Sequence, residues 1–189
     1  MILPQSHTLT TRHLNRVFDN TVATYKYYWF LGILDACVKQ GKSRINVWDI
    51  MISMVANAWY PVNYFRLSFG KSESLYDAII TLQREYNIPI NISINELTEL
   101  LQTLVQRIEV RRLLNFLQQN VPFRFLRPWI DTSDDRQTVL RSQTFENGCL
   151  YKLERIDHIW WIELNPAWLP YLRENYDILT SFAYWGLTN

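Results

Sequence analysis

The stretch Asn20–Gln40, NTVATYKYYWFLGILDACVKQ, constrains the chain more than any other. Plotted at about 100° per residue, Val22, Tyr25, Trp29, Ile33, Ala36 and Cys37 form one apolar face. Tyr27, Phe30, Leu31, Leu34 and Val38 cover much of the remainder, leaving a narrow polar strip of Thr21, Thr24, Asp35 and Lys39. A helix apolar on nearly every side has to be buried among other elements. Asp19 or Asn20 supplies a side-chain oxygen for its N-terminus, and Gly41 suits the left-handed residue that ends it. The chain is therefore expected to be organised around a central buried helix.

With 189 residues, the chain can bury a core without disulfides or metals. Its five glycines favour helices over a turn-rich sandwich. The net charge of +1 excludes a chain that binds nucleic acid by total charge, though not one with a local basic face. Cys37, on the central helix, reads as a buried free thiol. No charge-free apolar run approaches eighteen residues, so no membrane span is expected, and without a signal peptide the expected compartment is the cytoplasm.

Taken in order, Thr10 or Thr11 starts a short helix carrying Leu14, Val17 and Phe18. After the central helix, Asn46 caps a second one that Pro61 ends or bends. Leu67–Ser72 reads as a loop turning at Gly70, with Ser72 capping a helix that runs through Tyr86. Ser93 and Glu96 form a capping box, S-x-x-E. It opens the longest helical pattern, Ile94–Gln119, in which Leu97, Leu100, Leu101, Leu104, Ile108, Leu113, Leu114 and Leu117 recur at helical spacing. Composition shifts at Val121. VPFRFLRPWI mixes aromatics, prolines and arginines, and is expected to be an extended ordered loop. Asp131–Asp135 is a turn that caps a further helix. Cys149–Glu154 and His158–Leu164 read as a hairpin joined near Arg155–Asp157, with Trp160 and Trp161 on opposite faces. Two more helices follow, the last capped by Asn175. The expected fold is mainly α, about seven helices around the central one, with a small C-terminal antiparallel β-hairpin. Residues 1–120 form a helical core subdomain. Residues 121–189 hold the aromatic loop, hairpin and terminal helices, packed with the first as one unit.

Four runs carry a resemblance: NTVATYKYYWFLGILD, NVWDIMISMVANAWYPV, RLSFGKSESL and VPFRFLRP. They are long, rich in Trp and Tyr, and spread over most of the chain. Together they resemble the N-terminal region of bacterial HNH-endonuclease-domain proteins. The HNH module, which lies C-terminal to this region in such proteins, is absent from the sequence. The resemblance thus implies a non-catalytic DNA-recognition or DNA-positioning domain associated with an HNH nuclease, in defence against or processing of foreign DNA.

Read for chemistry, the residues offer no complete catalytic motif. His7, His13 and His158 have no ligand spacing with either cysteine, and the hairpin-plus-helix outline lacks the paired ligands of an HNH metal site. Asp131, Asp134 and Asp135 suit a helix N-terminus better than a cation. Gly41-Lys42-Ser43 lacks the upstream glycine and strand of a phosphate loop. No cofactor and no metal is expected. Basic residues fall into groups: Lys42, Arg44, Arg66 and Lys71 in turns; Arg107, Arg111 and Arg112 on the long helix; Arg124, Arg127, Arg136 and Arg141 around the aromatic loop; Lys152 and Arg155 on the hairpin. Lys26 sits on the apolar face of the central helix, placed to snorkel, to pair with a carboxylate or to reach a phosphate. Arginine interleaved with Phe123, Phe125, Trp129 and Trp160 is the composition of a surface that grips phosphates and stacks on bases. The nucleic-acid-binding candidates are Arg124, Arg127, Arg136, Arg141, Arg111, Arg112 and Lys26. Expected partners are DNA and an HNH module, linked covalently or not. A rival reading makes the chain a protein-interaction or homodimerisation module, supported by its near-neutral charge and abundant Trp and Tyr. A third, that the chain is itself a hydrolase, requires metal-dependent cleavage through Asp134 or His158.

Overall fold

A computed structural model describes residues 3–19, 24–65 and 74–188. Among them are nine α-helices and a three-stranded antiparallel sheet. The fold is mainly α, with the sheet completed near the C-terminus. The organising helix is α2, Tyr25–Leu34, in which every residue from Tyr27 to Leu34 is buried. It follows the short α1, Arg12–Val17. The proposed cap Asn20 and the face residue Val22 lie outside the described residues, while Asp19, the other proposed cap, falls six residues before α2, whose N-cap position is Thr24 without a side-chain cap bond. Beyond Leu34 the helix widens into a π-helical segment, Asp35–Lys39, where Gln40 N donates to the Asp35 carbonyl at 3.2 Å. Gly41 then ends it at φ +67°, the left-handed role expected of it.

The chain next forms a strand where the sequence reads as a turn. β1, Arg44–Asn46, pairs with a partner more than a hundred residues away, so no local pattern announces it. Asn46 also caps α3, Val47–Phe65, its Oδ1 accepting from Trp48 N at 2.9 Å. Pro61 lies inside α3 and does not end it. The expected loop at Leu67–Ser72, the cap Ser72 and the cations Arg66 and Lys71 lie outside the described residues. α4 spans Ser74–Glu85.

The long helical pattern divides. α5 covers Ile94–Leu104 and begins with the expected capping box of Ser93 and Glu96. α6 covers Ile108–Ile130, with Arg107 extended between them. The leucine spacing explains the break. Leu97, Leu101 and Leu104 are buried on α5, and Val110, Leu114 and Leu117 on α6, whereas Ile108, between the two sets, is 53% exposed.

α6 also overturns the extended loop expected at 121–130. Val121, Pro122, Phe125, Leu126, Trp129 and Ile130 are buried, and their spacing repeats with the period of a helix. Pro122 and Pro128 each remove a donor but leave the helical path intact, because this apolar face packs into the core. The boundary placed after residue 120 falls inside α6, and one continuous apolar core runs across it.

α7, Asp135–Ser142, is capped by Asp134, whose side chain accepts from Arg136 N and Gln137 N. It docks on the sheet through Gln143 Nε2, which donates to the Leu153 carbonyl at 2.7 Å, and Ser142 Oγ, which accepts from Leu153 N. β2, Tyr151–Ile156, and β3, Ile159–Leu164, form the expected hairpin. Its turn is Asp157–His158, both left-handed, one step beyond the Arg155–Asp157 link read from sequence. β3 is central, in the order β1-β3-β2. The chain closes with a 3-10 turn at Pro166–Trp168, α8 at Leu169–Glu174 and α9 at Tyr176–Thr188. Among the described residues no helix is long and apolar enough to cross a membrane.

A candidate nucleic-acid interface

The fold sorts its cations into two populations. Five ion pairs occur among the described residues. Two join Lys39 to Asp35 and Lys42 to Asp49, beside the π-helical segment. The other three link Arg44 to Glu154, and Lys152 to Glu154 and Glu163, on the outer face of the sheet. That face is one neutralised mesh, with the Arg44 guanidinium 5.6 Å from the Trp161 ring. Lys26, Arg111, Arg112, Arg124, Arg127, Arg136 and Arg141 belong to none of these pairs.

Three of those seven come together. Arg124 and Arg127 are exposed and three residues apart on α6, so they share a face. Lys26 approaches from the first turn of α2 and donates from Nζ to the Val17 carbonyl at 2.9 Å. This anchors the snorkelling lysine at the carboxyl end of α1, where a cation is favoured. Burial lowers its pKa first, and the Arg127 and Arg124 charges lower it further; Asp19 acts in the opposite sense. Arg124 is held by Tyr25, its Nη1 donating to the phenol oxygen at 3.2 Å. These cations repel one another and form no ion pair among the described residues, with Asp19 the one carboxylate that offsets them, so a bound anion would relieve the repulsion.

Arg136 lies on the rim of a separate groove of about 560 Å³ between α6, α7 and the hairpin. Its floor carries Phe123 and Trp160, edge to face at 5.2 Å, and the Arg155 guanidinium lies 5.6 Å from the Trp160 ring. The α6 wall presents Asn115, Gln118, Gln119 and Asn120. Of the aromatics expected to interleave with arginine, only Phe123 and Trp160 line this groove. Phe125 and Trp129 are core, stacked against each other at 6.5 Å.

The remaining candidates sit apart. Arg111 is about 20 Å from Arg124 along the helix, at 1.5 Å per residue. Its Nε donates to the Val105 carbonyl at 2.6 Å and its guanidinium lies over Trp48, so it closes the end of α5. Arg112 is exposed beside Glu85, Tyr86 and Glu109 in a shallow hollow. Arg141 is exposed on α7, where its carbonyl accepts from Asn147 Nδ2. Asp134 is occupied as a cap, and no group of three or more His, Cys, Asp or Glu able to hold a metal occurs among the described residues. Sequence reasoning passed over the amide row of α6. Its signal was the amide run Gln118-Gln119-Asn120 interrupting an apolar helical pattern, with Asn115 one turn earlier.

A second concavity, of about 600 Å³, lies between the π-helical segment, α3 and α5. Its charged residues include the pairs Lys39–Asp35 and Lys42–Asp49, which already satisfy one another. The Asp35 carboxylate also accepts from Tyr176 Oη at 2.8 Å.

No protein-family model, curated protein or solved structure matches the chain.

Proposed function

We propose that this chain is a non-catalytic DNA-positioning domain that works beside an HNH nuclease module acting on foreign DNA. One observation carries the reading: Lys26, Arg124 and Arg127 converge on one surface without ion-pair partners, while Lys39, Lys42, Arg44 and Lys152 are each paired with a carboxylate. The sequence resemblance supplies the nuclease context. The patch grips backbone phosphates and fixes the orientation of a duplex, and cutting belongs to the other module. Contacts of this kind position DNA without reading its sequence.

Fluorescence anisotropy of a labelled duplex across a salt series tests this. Each phosphate neutralised adds about −0.9 to the slope of log affinity against log salt. The Arg124→Ala/Arg127→Ala variant should flatten that slope by about 1.8. No duplex binding at low salt, or a double variant with an unchanged slope, overturns the proposal.

A protein-interaction or homodimerisation role draws on a different surface. Tyr60, Tyr64 and Phe65 at the end of α3 are 48%, 63% and 61% exposed and stack on one another, with Tyr60 and Tyr64 rings 4.9 Å apart. Clustered exposed aromatics are typical interface anchors. On this reading the chain sediments as a dimer and Tyr64→Glu makes it monomeric. Sedimentation as a monomer at every concentration counts against the homodimer.

A further inference from the structure

We propose that the groove between α6, α7 and the hairpin receives an unpaired nucleobase of a single strand, with Trp160 as its stacking platform. This rests on the nucleic-acid reading above and adds a second, chemically different site. Trp160 is only partly covered, and its ring is braced edge-on by Phe123. Base-on-aromatic stacking is tolerant of sequence, since every base has a π face. Around the ring stand the groups that a base edge requires. The side-chain amides of Asn115, Gln118 and Gln119 make no hydrogen bond among the described residues, and Gln118 Oε1 is buried without a partner. Amides both donate and accept, so this wall matches the mixed pattern of a Watson–Crick edge. Asp135 adds one acceptor suited to an exocyclic amine.

Charge selects a nucleic acid over a neutral peptide or glycan. Arg136 and Arg155 flank the groove and neither is ion-paired among the described residues. Arg136, on the exposed rim, is free to meet a neighbouring phosphate, while Arg155 lies over one face of the Trp160 ring, 5.6 Å from its centroid, and leaves the base to stack on the other. The groove and the basic patch also share one helix, α6. Asn120 and Phe123 precede Arg124 and Arg127 by four residues each, one turn along the same helix face. A strand gripped at Arg124 and Arg127 and running toward the amino end of α6 therefore meets Asn120 and Phe123, which packs on Trp160, about one 5.4 Å turn away.

The test compares three labelled probes at low salt: a mixed-sequence DNA strand of roughly a dozen nucleotides, the same strand with tetrahydrofuran abasic sites, and a duplex. The wild-type chain should bind the intact strand about tenfold or more tighter than the abasic one. Trp160→Ala should abolish that preference and leave duplex affinity unchanged. Arg136→Ala, on the exposed rim, should flatten the single-strand salt slope by about 0.7 and keeps the proposal falsifiable if Trp160→Ala does not fold. Equal binding of intact and abasic strands by the wild type overturns the base site alone, even where the duplex binds. A base preference without duplex binding overturns the duplex-positioning reading alone. Binding of none of the probes overturns both.

Discussion

Gly32→Ala probes the closest approach of two helices in the core. A Cβ built on Gly32 of α2 meets Ile50 Cγ2 of α3 at 2.8 Å, the Ile50 carbonyl oxygen at 3.4 Å and Ser53 Cβ at 3.5 Å. Carbon atoms in favourable contact lie about 3.5–4.0 Å apart, so the new methyl overlaps Ile50 by close to 1 Å. Ile50 has little freedom to retreat. It is 1% exposed, and a β-branched side chain in a helix is held near one χ1 rotamer. Helix propensity favours alanine over glycine by about 1 kcal/mol. Overpacking opposes it by about 1–3 kcal/mol. The restricted Ile50 side chain places this site toward the upper part of that range, while the other two neighbours, at 3.4 and 3.5 Å, are in ordinary contact. The net expectation is a loss of about 1–2 kcal/mol, or roughly 2–8 °C in Tm for a chain of this size. Urea unfolding followed by tryptophan fluorescence and circular dichroism measures it. A double-mutant cycle gives the cause. Ile50→Ala removes Cγ2, so its cost and that of Gly32→Ala should combine to less than their sum by about 1 kcal/mol or more. Ile50→Val keeps Cγ2 and should leave the two costs additive. A stabilised Gly32→Ala variant, or additive costs with Ile50→Ala, refutes the steric argument.

Tyr151 is fully buried, and its hydroxyl donates to the Pro122 carbonyl at 2.6 Å; Tyr151→Phe should cost about 1 kcal/mol, read as a lower urea midpoint with an unchanged m-value. Burial pushes the Cys149 thiol up to about 12 and raises Cys37 as well, so neither should react with a thiol reagent in the folded chain near pH 8, and both should react in urea. Stoichiometric labelling of the folded chain would contradict the packing around them. Lys26 has a pKa below the ordinary 10.5 in the folded state, so between the two values the unfolded chain binds more protons and stability rises with pH. The unfolding free energy of the wild type minus that of Lys26→Met should therefore increase as pH is raised from neutral toward 10.5, in urea titrations at several pH values. A constant difference would show that the charge is not opposed by its surroundings. Ser93→Ala should cost about 1 kcal/mol by removing the N-cap of α5, seen in the same unfolding assay.

Local signals in the sequence carried much of this architecture. The all-round apolar pattern of Tyr25–Leu34, the Ser93–Glu96 box, Gly41 and the Asp134 cap depend on neighbours within one or two turns, and each takes its expected role. Features fixed by distant partners were illegible. Arg44–Asn46 becomes a strand only because Ile45 pairs with Ile162. At 121–130 the prolines masked a burial period already written in Val121, Phe125 and Trp129. Local donor loss argued for a loop, and tertiary packing outweighed it. The candidate interface was legible in composition but not in grouping. Arg124, Arg127 and Lys26 meet because α2 and α6 pack together, whereas Arg111, on the same α6, turns inward to close a neighbouring helix. Sequence proximity thus linked residues that the fold separates.

The pairing of β1 with β3 also orders events in time. A ribosome delivers α2 and β1 early, yet their partners β3 and α9 are among the last segments to emerge. Until Leu164 is out, the apolar Ile45 has no sheet to join, and α2 waits longer still for Phe182 to cover Tyr27 and Phe18. Contacts of such long sequence separation are closed late and slowly. The nascent chain therefore holds its most apolar helix only partly covered, by α3 and later α6, until α9 emerges, and a product cut short before the second half of the hairpin would leave the α9-facing side of that helix open to aggregation.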